Sequence, residues 1–273
     1  MTIDYRLPGR LTDLTAVPAE ALAGFGSEPV TICAPIHSLV LQPTDPAARH
    51  LSEARLAENQ IRPAPELALR LLSLENKPLT ELREPGQRVV GTCRHFAVLA
   101  CALLRHRGIP ARVRCGFATY FEEERAVDHW VIEYRIAQHD RWVRLDPEIL
   151  GQTVVEHPED LAEGLFLSGA EAWMAFRRGE IDASRFGVHG TENWGPAEIR
   201  GNLVKDLAAL NKVEMLPWDE WGRMTEAYDG ETGPDYDMLL DRVAAICISD
   251  DPTEIATIYR NPDLTVPDTL VCS

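Results

Sequence analysis

Residues 91–115 read GTCRHFAVLACALLRHRGIPARVRC and residues 128–148 read DHWVIEYRIAQHDRWVRLDPE. Phe96 to Leu104 is nine apolar residues without a break. That is too long for a typical strand and is made largely of helix formers, so it predicts a helix buried nearly all round. Arg105, His106 and Arg107 suit the negative end of a helix dipole, Gly108 suits a left-handed cap, and Pro110 forbids continuation. Cys93 therefore falls on the first turn, where unsatisfied N–H groups and the dipole stabilise an anion. A thiol in such a place can have its pKa lowered to roughly 3.5–7.5.

Three strands are expected to follow. Ala111 to Phe121 alternates Val113, Cys115 and Phe117 with Arg112 and Arg114, a period of two. His129 to Ile136 puts Trp130, Ile132, Tyr134 and Ile136 on one face and His129 with Val131 on the other. Gln138 to Arg141 reads as a polar turn, and Trp142 to Asp146 as the return strand of a hairpin. The start of one hairpin strand neighbours the end of the next, so His129 and Asp146 are expected to approach. Cys93, His129 and Asp146 are the residue types that a thiol nucleophile, its base and the base's orienter require.

These residues resemble the transglutaminase-like superfamily, the papain-type Cys-His-Asp enzymes, in the form of a stand-alone bacterial-type member. The features that carry the likeness are Gly91 two before Cys93, the apolar helix, the Gly-Ile-Pro-Ala-Arg turn at 108–112, His129 beside Trp130, and the Trp142 to Pro147 ending. The common pattern has alanine between the histidine and the tryptophan, whereas here Trp130 follows His129 directly and Asp128 precedes it. The resemblance implies an α+β fold, with a central buried helix on an antiparallel sheet and extra helices at the C-terminus. It also implies acyl transfer on an amide or ester through a Cys93, His129, Asp146 triad and a thioester. Such an enzyme would be an amidase or peptidase, or else a transamidase or amide synthase. Two rivals stand beside it: a transglutaminase-like binding module without catalysis, and an arylamine N-acetyltransferase-like acyltransferase. The latter's arginine-diglycine run is replaced here by Val89-Val90-Gly91-Thr92.

Around this core, residues 1–90 read as an N-terminal segment packing on it, 91–150 as the catalytic core, and 151–273 as a mainly helical extension, together one compact unit. Glu28 to Gln42 predicts two short strands, or a strand and a loop. Asp45-Pro46 opens a helix toward Asn59, and Pro65 another, with Leu67, Leu71, Leu72 and Leu74 as its stripe. Ser168 to Glu171 is a capping box, Leu203, Leu207 and Leu210 fall at helical spacing, and Asp235 to Ile248 reads as an amphipathic helix followed by a short one near Ile255.

The chain of 273 residues is 45% hydrophobic, enough for a sizeable core, and carries a formal net charge of −16. That charge argues against nucleic acid or an anionic membrane as partner and leaves a small-molecule, peptide or protein amide as the expected substrate. Six cysteines without paired spacing read as reduced thiols, and MTIDYRLPGR lacks the apolar core of a signal peptide, so a cytoplasmic protein is expected. Cys93, Cys115, His129 and Asp146 are all ligand types, but no CxxC or HxxxH pairing is present, so neither metal nor cofactor is expected. His95 is a rival base, yet two helix positions turn it about 200° from Cys93. Gln87 is a rival oxyanion donor better read as a solvated loop residue, with the Cys93 backbone N–H as the safer donor. Glu122 to Glu124 read as a solvated charge run.

Overall fold

The computed structural model describes residues 2–136 and 141–271. In chain order the first elements are helix α1 (Pro29–Cys33), strand β1 (Val40–Leu41), and helices α2 (Glu53–Leu56) and α3 (Ala64–Leu74). Strand β2 (Val89–Val90) and helix α4 (Cys93–His106) follow. Then come β3 (Ala111–Ala118), β4 (Ala126–Tyr134), β5 (Val143–Leu145), β6 (Phe166–Ser168), α5 (Gly169–Arg177) and β7 (Phe186–Gly187). Helices α6 (Pro196–Leu210), α7 (Met224–Tyr228), α8 (Pro234–Ser249), α9 (Pro252–Ile258) and α10 (Asp268–Val271) complete the chain. This is an α+β protein, with five strands in the order β5-β4-β3-β6 and β7 on β4.

The chain divides into two compact units, one of Asp4–Arg112 and Val131–Asp160, the other of Met1–Ile3, Val113–Trp130 and Leu161–Ser273. Strands β3 and β4 each run through both. In the first unit α4 is the buried rod that the sequence predicts: only His106 of its fourteen residues escapes burial, and it packs against α1 and α3. Its C-terminal stop is also as expected, with Gly108 at φ +73° and Ile109 N–H donating to Leu104 O. Strand β1 pairs in parallel with β2, Val40 level with Val89 and Leu41 with Val90. The N-terminal region departs from the strand reading. Val30-Thr31-Ile32 is helical, because Pro29 takes an early helical position that its fixed φ suits, and only Val40–Leu41 is strand. The helix expected from Pro46 to Asn59 is broken once, at Leu51 and Ser52, which adopt extended backbone: a 3₁₀ turn at Pro46–His50 precedes the break, and α2 continuing into a 3₁₀ turn at Ala57–Gln60 follows it. The polar turn read at Gln138 to Arg141 lies, except for Arg141, outside the described residues.

On β3 the two arginines are buried rather than solvated, and each is matched. Arg112 Nε donates to Glu133 at 2.7 Å, and Arg144 Nε approaches the same carboxylate at 2.8 Å. Arg112 also stacks 4.0 Å from the Trp142 ring centroid. In the second unit Arg114 makes a fork of two 2.8 Å bonds to Asp206, whose Oδ1 also accepts from Cys115 N–H. Helix α5 starts at the expected Ser168/Glu171 capping box and packs on α6 and α8. Gly169 lets it approach closely, since a Cβ there would stand 2.4 Å from Asn202 O.

Candidate active site

Cys93 is the first residue of α4 and is 7% exposed. The helix start is locked by its own residues. Thr92 N–H donates to His95 Nδ1 at 3.0 Å, a capping box with histidine in the usual glutamate place. His95 is fully buried, and burial, reinforced by the neighbouring Arg94 charge, pushes its pKa down to about 3. With Nδ1 accepting, the ring is neutral and its lone pair is already used, so His95 holds the cap, the structural role expected of it. Gly91 is needed for the same cap, because a Cβ would fall 2.6 Å from the His95 ring. Arg94 is wholly buried and is not a solvated side chain.

Beside the sulfur stands a group that sequence reading missed. A carboxylate oxygen of Glu148 lies within 4.8 Å of Cys93 Sγ. Gln42 Nε2 donates to Glu148 Oε1 at 2.8 Å, Gln152 Nε2 donates to its carbonyl at 2.9 Å, and His37 Nδ1 is 3.2 Å from that same carbonyl. Gln42 reaches this place because the β1/β2 register, carried one step on, brings it level with Gly91. No local pattern could reveal that, since parallel pairing joins residues nearly fifty positions apart. Gln87, the glutamine weighed from sequence, ends a single 3₁₀ turn at Pro85–Gln87 and is half-buried.

Asp146 follows β5 directly and is fully buried. Its backbone N–H donates to Pro158 O, and its Oδ1 accepts from Glu148 N–H at 2.9 Å. Strand β5 pairs with β4 so that Leu145 is level with Ile132 and Val143 with Tyr134. One step further on this register Asp146 comes level with Val131, on the face of β4 that His129 shares by the two-residue alternation.

His129 lies in β4 and is 2% exposed. Phe121 meets its ring edge-on with centroids 4.9 Å apart, and Tyr120 does so at 6.0 Å. These two rings limit how the imidazole can turn. Asp128, one residue earlier, belongs to the opposite face and accepts from Asn202 Nδ2 at 2.7 Å. In the Glu122 to Glu124 run, Glu123 and Glu124 are exposed, as a solvated run would be, and Glu122 is half-buried. Glu122 binds His189 and Arg125, and the hydrogen bond from His189 is the chief cause that holds its pKa below the ordinary carboxylate value. Cys33, Cys101, Cys115 and Cys247 are buried free thiols, and burial raises the pKa of Cys33 far above its usual range. Cys272 lies outside the described residues.

The profile of the transglutaminase-like superfamily matches residues 53–147, which contain Cys93, His129 and Asp146. Among solved structures the chain is similar to a candidate cysteine protease from Cytophaga hutchinsonii, at 20% identity and TM-score 0.35, over 54% of this chain and 41% of that one. It is also similar to red sea bream transglutaminase, at 16% identity and TM-score 0.31, over 47% of this chain and 25% of that one. The chain thus spans less than half the length of either structure. No curated protein matches it. The matched segment runs from α2 through β5, and it is this part of the chain that is similar to the transglutaminase-like superfamily.

Proposed function

We propose that the protein is a cysteine-dependent enzyme of amide or ester acyl transfer, with Cys93 as nucleophile, His129 as acid and base, and Asp146 as the group that orients His129. The observation that carries this reading is the position of Cys93: the first residue of a buried helix, inside the matched segment, where the dipole and first-turn N–H groups favour a thiolate. The register that brings Asp146 level with Val131, two residues from His129, supports the second pair.

In the first half-reaction the Cys93 thiolate attacks the substrate carbonyl, and the electron pair moves onto oxygen. Backbone N–H groups at the start of α4 stabilise that oxyanion, and the Gln42 side-chain amide, anchored on Glu148, is the proposed second donor. When the intermediate collapses, the carbon–nitrogen or carbon–oxygen bond breaks. The leaving group takes its proton from the His129 imidazolium, and a thioester remains on Cys93. In the second half-reaction neutral His129 takes a proton from the acceptor, which attacks the thioester and releases the thiolate. Water as acceptor makes the enzyme an amidase or peptidase; an amine makes it a transamidase or amide synthase. Asp146 holds the imidazole tautomer throughout.

The test is alkylation with iodoacetamide at pH 6. Rapid labelling of Cys93 with one equivalent, lost in His129→Ala, supports the enzyme; an inert Cys93 turns the reading toward a binding module. Mass spectrometry of Asp146→Asn protein after incubation with cell extract should find an acyl adduct on Cys93, whose mass names the donor. Acetyl-CoA turnover with an arylamine would instead favour the acetyltransferase alternative.

A further inference from the structure

The unit made largely of the C-terminal helices contains a cavity of about 640 Å³ on the face of β4 opposite to His129's. Helix α6 forms its floor. Glu198, Asn202 and Lys205 occupy positions i, i+4 and i+7, one face of that helix, and all three line the cavity. Two tryptophans, Trp194 and Trp218, line it as well. Most of the polar groups in this floor are already partnered. Asn202 donates to Asp128 at 2.7 Å, and Lys205 Nζ donates to Tyr228 Oη at 3.1 Å. Glu198 is different. It is 7% exposed, it lines the cavity, and its carboxylate makes no hydrogen bond or ion pair among the described residues. With no donor from the described protein groups, that carboxylate meets only what enters the cavity, which leaves a place for a donor from outside.

The charge of that donor follows from the lining. Asp128, Glu192, Glu198, Glu220 and Asp229 face Lys205 as the one cation among the described lining residues. Lys205 donates to Tyr228 Oη, and its charge is offset by Asp128 beside it, so the lining is acidic on balance. Trp194 already carries the Arg125 guanidinium 4.5 Å from its ring centroid, while Trp218 is 42% exposed and can take a flat or alkyl cation, and the net charge of −16 draws cations toward the surface. We propose that this cavity is a binding site for a small organic cation, a guanidinium or alkylammonium group that donates to Glu198 and packs against Trp218.

The titration of Glu198 gives the proposal a second handle. Burial raises its pKa to about 7, against the pull of Lys205 on its own helix and with help from Asp128 of β4 and from Glu220. A bound cation favours the ionised form, so binding should release a proton near neutrality and tighten from pH 6 to pH 8.

The test is calorimetric titration of the full-length protein with ethylguanidinium and butylammonium, with butanol and propionate as neutral and anionic controls. At least one cation should bind, the controls should not, and affinity should rise with pH over that range. Glu198→Gln should weaken the cation at least tenfold and abolish the pH dependence, the size expected for one charge-assisted hydrogen bond. Trp218→Ala, on the exposed wall, should weaken it with no change in melting temperature. Cys93→Ser should leave binding intact, so a failure of the catalytic reading would not be mistaken for a failure of this one. The proposal is overturned if no cation binds, if butanol or propionate binds as well as the cations, or if folded Glu198→Gln protein binds as the parent does.

Discussion

His95 and Asp146 are both buried polar residues, and they answer to different measurements. The pKa of His95 is about 3 in the folded chain, against roughly 6.5 when unfolded, so the unfolded state holds more protons between those values. Its contribution to stability is complete above about pH 6.5 and falls by about 1.4 kcal/mol per unit as pH drops toward 3. Urea denaturation from pH 7 to pH 4 should show that slope, and His95→Gln should flatten it while lowering stability at pH 7. Asp146→Asn tests the orienting role instead. It should reduce turnover about 10²- to 10⁴-fold through the wrong imidazole tautomer, with thermal stability changed far less than catalysis. Gln42→Ala belongs to the same scale: loss of one oxyanion donor should reduce kcat by about 10²-fold and leave iodoacetamide labelling of Cys93 intact. Equal kcat in that variant would remove Gln42 from the mechanism.

Helix α4 and its leading residues act together. Gly91→Ala puts a methyl against the His95 ring, so the cap must give way; a loss of about 1–3 kcal/mol in denaturant unfolding is expected, with slower alkylation of Cys93. Strand β3 carries its own test. Arg114 and Asp206 form a forked, fully buried pair, and Asp206→Ala leaves the guanidinium and the Cys115 N–H without their acceptor. The expected cost is about 3–5 kcal/mol, read from the shift in urea midpoint. The start, the end and the buried character of α4 were all legible in the sequence, because a helix's apolar run, cap and stop are local features. The broken turns between Pro46 and Gln60 were less legible. There the extended backbone at Leu51 and Ser52 overrides a run of good helix formers, which local propensity alone does not foretell.

Across the molecule, β3 and β4 pass through both compact units, so unfolding either unit must disturb strands that continue into the other. We expect a single calorimetric transition, with the calorimetric enthalpy equal to the van't Hoff value; two resolved transitions would separate the units. Among the described residues no helix is long and apolar enough to cross a membrane. The α+β class and Cys93 at a helix start could be read from the linear chain, since they follow from hydrophobic period, capping and turn chemistry within short windows, and the likeness of residues 53–147 to the transglutaminase-like superfamily rests on local motifs as well. It took the folded chain to reveal that Glu148, held by Gln42, stands by the sulfur, that His95 serves a cap, and that Glu198 faces an open cavity without a partner among the described residues. Each of those depends on pairing or packing between residues far apart in the chain, and a linear pattern carries no record of which distant groups burial brings together.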